Sequence, residues 1–130
     1  MTRGGRGMEN PDGRWPPGAR FAFGAHVRPR GARPTIVGRS STADVRFFHT
    51  RVSRRHLSLE YSTIRHARIT DLWAPYGTWV WVRHRRAWVR VWPGESVRVR
   101  WGAFISVANP RYRCFVVALP PVDLFVRAGA

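Results

Sequence analysis

From Phe21 onward no stretch of the sequence keeps apolar residues at a 3.6-residue period long enough for an amphipathic helix. Short runs alternate instead between apolar and polar residues, and turn-forming residues separate them. In Val97-Arg98-Val99-Arg100-Trp101 the apolar side chains fall on one face of a strand and the arginines on the other. The same rule holds for Val89-Arg90-Val91. Ten strands are predicted: Ala22–Val27, Thr35–Val37, Val45–Phe47, Leu57–Tyr61, Ala67–Asp71, Trp79–Val82, Ala87–Val91, Ser96–Trp101, Phe104–Val107 and Arg113–Leu119. Alternation of this kind belongs to sheets with one solvated face, so the pattern favours a sandwich or barrel over a parallel α/β sheet. Two of the links carry their own signal. Trp92-Pro93-Gly94-Glu95 reads as a β-turn, with Pro presetting φ and Gly tolerating a positive φ. Arg83-His84-Arg85-Arg86 reads as a polar hairpin link.

The chain has 130 residues, enough for one domain and too few for two. Its 44% hydrophobic content argues against wholesale disorder, and seven Trp and seven Phe supply a large apolar area. Residues 1–19, rich in Gly, Pro and Arg, read as a leader without regular structure; 20–120 form the sandwich, and 121–130 a tail. No apolar run is long enough to cross a membrane as a helix, and residues 1–14 lack the apolar centre of a signal peptide. Cys114 is the sole cysteine and sits in the run Cys114-Phe115-Val116-Val117, so a buried structural thiol is expected. This suits an intracellular, reducing compartment: nuclear for a eukaryotic virus or host, cytoplasmic otherwise.

The charge is lopsided at +16, with every basic residue an Arg. Codon bias in a GC-rich genome, viral or bacterial, explains the missing Lys well and the shortage of acids poorly. Arg binds phosphate through a planar fork, so the excess points to an anionic partner, either a phosphoprotein or DNA or RNA. The mixture of Trp79, Trp81, Trp88 and Trp92 with arginines has two readings: a stacking platform for single-stranded nucleic acid, or sandwich core. Core is preferred, because large aromatics dominate cores.

Three clusters lie in or beside loops: Gly38-Arg39-Ser40-Ser41, Val52-Ser53-Arg54-Arg55-His56-Leu57, and Thr70-Asp71-Leu72-Trp73-Ala74-Pro75-Tyr76-Gly77-Thr78-Trp79-Val80. In order and spacing, with the later turn Pro93-Gly94-Glu95-Ser96, they resemble the forkhead-associated (FHA) family. The resemblance runs from about Phe21 to Leu119. It implies an all-β, antiparallel FHA-like sandwich of about ten to eleven strands. It also implies a stand-alone phosphothreonine-dependent interaction module, with no enzymatic activity and no cofactor. A phosphothreonine brings close to two negative charges and three acceptor oxygens, which Arg39, Ser53 and Arg54 are expected to bind. Ser40, Pro75 and Tyr76 are expected to face the bound peptide. Gly38, His56, Gly77 and Thr78 are expected to support the site without touching phosphate. The sequence departs from the family at Ala74, where the family has Ser, and at Tyr76, where it has Asn. That Asn grips the peptide backbone through an amide that donates and accepts, and a tyrosine copies only part of this.

Other chemistry has little support. The five histidines show no paired metal-ligand spacing, and seven scattered acids make no carboxylate pair. There is no nucleophile elbow, P-loop or dinucleotide fingerprint. Two further readings remain open: nucleic-acid binding on an FHA-shaped scaffold, and a phosphate-independent structural or assembly role. The oligomeric state is not legible.

Overall fold

Alternating side chains commit each short run to a strand with one inward face, and the computed structural model of the chain shows the result. It describes residues 16, 25–29 and 33–121. Ten strands appear: β1 (Ala25–Val27), β2 (Thr35–Gly38), β3 (Val45–Arg46), β4 (Leu57–Thr63), β5 (His66–Asp71), β6 (Thr78–Val82), β7 (Ala87–Val91), β8 (Ser96–Arg100), β9 (Phe104–Val107) and β10 (Phe115–Ala118). Each coincides with one of the expected runs. Residues 22–24 of the first run lie outside the described residues, as do the tail beyond Pro121 and all of the leader except Pro16.

Two five-stranded sheets form, in the orders β1-β10-β9-β6-β7 and β3-β2-β4-β5-β8. Pairing is antiparallel except that β1 runs parallel to β10 and β2 parallel to β3. The sandwich is therefore mixed at two of its edges.

Register places the core. In one sheet Leu59 pairs with Ile69 and Ile69 with Val97; in the other Val80 pairs with Val89 and Ile105, and Ile105 with Val116. Leu57, Leu59, Ile69, Val80, Val91, Ile105, Val107 and Val116 meet in one buried cluster. Each buried aliphatic side chain contributes roughly 1.5–3 kcal/mol. The solvated face of the second sheet carries the complementary polar set, with Glu60, Arg68 and Arg98 abreast across three strands.

The tryptophan-rich run divides. Trp81 and Trp88 project from the other side of their sheet, opposite Val80. There Trp81 meets Trp88 edge-on at 5.4 Å, and Trp88 stacks on Phe115 at 5.4 Å between centroids. They form an aromatic layer outside the inter-sheet core. Arg90 lies over Trp79 and Trp92, 5.2 Å from each ring, and the Trp92 ring is exposed.

Both expected turns form. Glu95 N–H donates to the Trp92 carbonyl at 2.9 Å, with Gly94 at φ 75°. Residues Arg83–Arg85 make a 3-10 turn closed by Arg86 at φ 49°.

Candidate functional site

Four links gather at one end of the sandwich: 39–44 after β2, 47–56 before β4, 72–77 between β5 and β6, and 108–114 between β9 and β10. Backbone hydrogen bonds join them. Arg39 N–H donates to the Ser53 carbonyl at 2.8 Å and Ser40 N–H to the Arg54 carbonyl at 3.1 Å. This close approach is possible because residue 38 is Gly. A Cβ there would lie 2.0 Å from the Arg54 carbonyl oxygen.

Arg39 reaches along the same segment. Its Nε donates to the Val52 carbonyl at 2.9 Å. One nitrogen is thus spent on anchoring the side chain, and the two terminal nitrogens remain at an exposed position. The Ser53 hydroxyl sits in the next residue and is half-buried. Arg54 is exposed, and its side chain makes no hydrogen bond or ion pair among the described residues. Arg46 closes the loop from the other side, its Nε donating to the Arg39 carbonyl at 3.0 Å.

His56 is wholly buried behind these groups. Its Nδ1 accepts from Ser53 N–H at 3.0 Å, so the proton lies on Nε2, which donates to the Gly77 carbonyl at 2.6 Å. One ring therefore fixes the Ser53 backbone to the 72–77 loop. Burial lowers the His56 pKa below 6.5, against the opposing pull of the Gly77 carbonyl and of Asp71. The ring is held neutral, as the tautomer requires.

Asp71 organises the third loop. It accepts from Thr78 Oγ1 at 2.6 Å on one oxygen and from Trp73 N–H at 3.0 Å on the other. Thr78 is fully buried and so belongs to the scaffold, as does Gly77 at φ 81°. Trp73 is an exposed non-glycine residue at φ 63°, a conformation that costs roughly 1–2 kcal/mol. Its ring covers Gly94, where an added Cβ would lie 2.7 Å from a ring carbon.

Among the expected peptide-facing residues, the Ser40 hydroxyl is engaged within its own loop, at 2.9 Å from Thr42 Oγ1 and 3.1 Å from Thr42 N–H. Pro75 is exposed. Tyr76 is exposed and has acquired a partner that the sequence motifs do not include. Arg51 Nη1 donates to the Tyr76 hydroxyl at 2.8 Å, and the guanidinium carbon lies 4.7 Å from the ring centroid. The same guanidinium approaches the Tyr112 ring at 6.0 Å. No sequence signal points to this contact, which spans 25 positions.

The fold and these loops define a β-sandwich whose connecting segments converge on a preorganised, cation-bearing surface with a buried histidine behind it. The FHA domain model matches residues 35–105, more than half of the chain, and the chain belongs to the FHA family. Among solved structures it is similar to the N-terminal FHA domain of S. cerevisiae Rad53p in complex with a phosphothreonine peptide. That match has 17% identity and a TM-score of 0.50, covering 64% of this chain and 62% of the other. The FhaA FHA domain complexed with the intracellular domain of Rv3910 matches at 28% identity and a TM-score of 0.45, covering 59% of this chain and 74% of the other. The FHA domain of CT664 from Chlamydia trachomatis matches at 18% and 0.48, covering 61% and 71%. No curated protein sequence matches the chain.

Proposed function

We propose that this domain binds phosphothreonine-containing segments of partner proteins through Arg39, Ser53 and Arg54. One observation carries the reading: Arg39 is tethered through Nε to the Val52 carbonyl, which leaves a two-nitrogen fork at an exposed position beside the segment that carries Ser53. A fork held in this way meets a phosphate bidentately with little ordering cost. Family membership supports the same role.

Tyr76 alters the peptide half of the site. It offers a single hydroxyl, already bonded to Arg51, where the family pattern has an amide. Affinity therefore rests less on a backbone grip at this position than in relatives that keep the Asn.

Titration of the protein with a phosphothreonine peptide library, followed by calorimetry on the best binder, tests the reading. Arg39→Ala is expected to weaken binding by about 1.5–3 kcal/mol, roughly 10–150-fold, as for a lost charge-assisted hydrogen bond. Dephosphorylated peptide is expected to give no signal. Equal binding by Arg39→Ala and the parent protein would remove the proposed function.

A further inference from the structure

The end of the sandwich opposite the recognition loops holds an open cavity of about 550 Å³. It lies where β6 and β8 end and β9 begins. Its volume falls within the range of small-molecule sites.

The lining has two chemistries. Val80, Val82, Val99 and Ala103 supply an apolar floor, with the Trp101 ring beside it. That ring is fixed by its own N–H, which donates to the Thr63 carbonyl at 3.3 Å. The rim is cationic. Arg98 and Arg100 line the opening from the edge strand β8, and Arg83, directly after β6, lines it from the other sheet. All three are exposed, and none of their side chains has a hydrogen bond, ion pair or ring contact among the described residues.

No carboxylate among the described residues lines the opening. The four acids among the described residues are committed elsewhere. Asp44 pairs with Arg33, Glu60 stands opposite Arg68 across the strands, Asp71 holds Thr78, and Glu95 belongs to the turn after β7. Three like charges around one concave opening focus a positive potential, and no described carboxylate lines it. An anion with an apolar, planar part satisfies both chemistries at once.

We propose that this cavity binds a nucleotide, free or as one unit of a single strand, with its base over the floor beside Trp101 and its phosphate on Arg83, Arg98 and Arg100. Planar bases stack on tryptophan, and guanidinium groups accept phosphate as a fork. The site is separate from Arg39 and does not depend on phosphothreonine binding.

Calorimetry of the whole chain at low salt, with ATP, inorganic tripolyphosphate and oligothymidylates of increasing length, tests the assignment. ATP is expected to bind at least tenfold more tightly than tripolyphosphate. Arg98→Ser/Arg100→Ser is expected to weaken ATP at least tenfold, while Arg111→Ser/Arg113→Asn, with the same charge loss at the opposite end, leaves it nearly unchanged. An unchanged thermal melt shows that both variants are folded. Affinity that keeps rising with strand length identifies a strand as the ligand, and a plateau at one nucleotide identifies the free nucleotide. The proposal is overturned by any of four results: no binding of ATP or oligothymidylate, parent-like binding by Arg98→Ser/Arg100→Ser, an equal loss in the control variant, or tripolyphosphate binding as tightly as ATP.

Discussion

Tyr76 shows how a single replacement recruits its surroundings. A tyrosine in an exposed loop offers a ring face and a hydroxyl, and Arg51 uses both. Each contact is modest at a solvated position, but together they hold a long side chain in one place. Restoring the family residue tests what the replacement changed. Tyr76→Asn returns an amide that donates and accepts, and it frees Arg51. Phosphopeptide affinity is expected to rise by about 1 kcal/mol, roughly fivefold, in calorimetric titration. The Arg51 contact was not legible in the sequence, because it joins residues 25 positions apart that no motif relates. The anchoring of Arg39 on Val52 was equally hidden, although both residues lay within clusters already singled out.

At the scale of the elements, the site exists because the end of β2 lies almost against the segment before β4. Gly38 is the condition for it, since any side chain would strike the Arg54 carbonyl. Gly38→Ala is expected to cost about 1–3 kcal/mol of stability in chemical denaturation, as for an overpacked position, and to weaken phosphopeptide binding as well. A substitution that moved only stability would show that the two loops are not held together by this contact. The strands themselves were legible from alternation alone, because one buried face forces a period of two on the sequence. Their neighbours were not. The parallel pairing of β1 with β10 brings together segments from opposite ends of the described chain, and local pattern contains no information on that. The outer aromatic layer is a similar case. Periodicity marks Trp81 and Trp88 as sharing a face of the sheet, yet it does not separate the inner face from a covered outer one.

The molecule as a whole carries a pH dependence that starts from one side chain. His56 is neutral and buried in the folded state, with its pKa lowered by burial, while in the unfolded chain it titrates near 6.5. Below that value the unfolded state binds a proton that the folded state refuses. The stability contributed by the neutral ring is therefore present above about pH 6.5 and is lost as the pH falls through the lower, folded value. Thermal melts between pH 7.5 and pH 5 are expected to show a falling midpoint, and His56→Asn is expected to flatten that slope while lowering stability throughout by about 1–3 kcal/mol. The +16 charge was plain from composition, but its disposition was not: among the described residues, arginine side chains without a partner stand both at the recognition loops, as Arg54 does, and around the far cavity, as Arg83, Arg98 and Arg100 do.

The Gly77 carbonyl accepts from two donors, His56 Nε2 at 2.6 Å and Ala108 N–H at 3.0 Å. Ala108 follows β9 directly, so the loop that carries Tyr76 is tied to the strand sequence of the first sheet through one oxygen. A ligand that steadies this loop must also suppress the openings that expose the Ala108 amide to solvent. That amide is a built-in occupancy gauge: its deuterium uptake is expected to slow at least threefold when a saturating phosphopeptide is present, even though it belongs to none of the segments expected to touch the peptide.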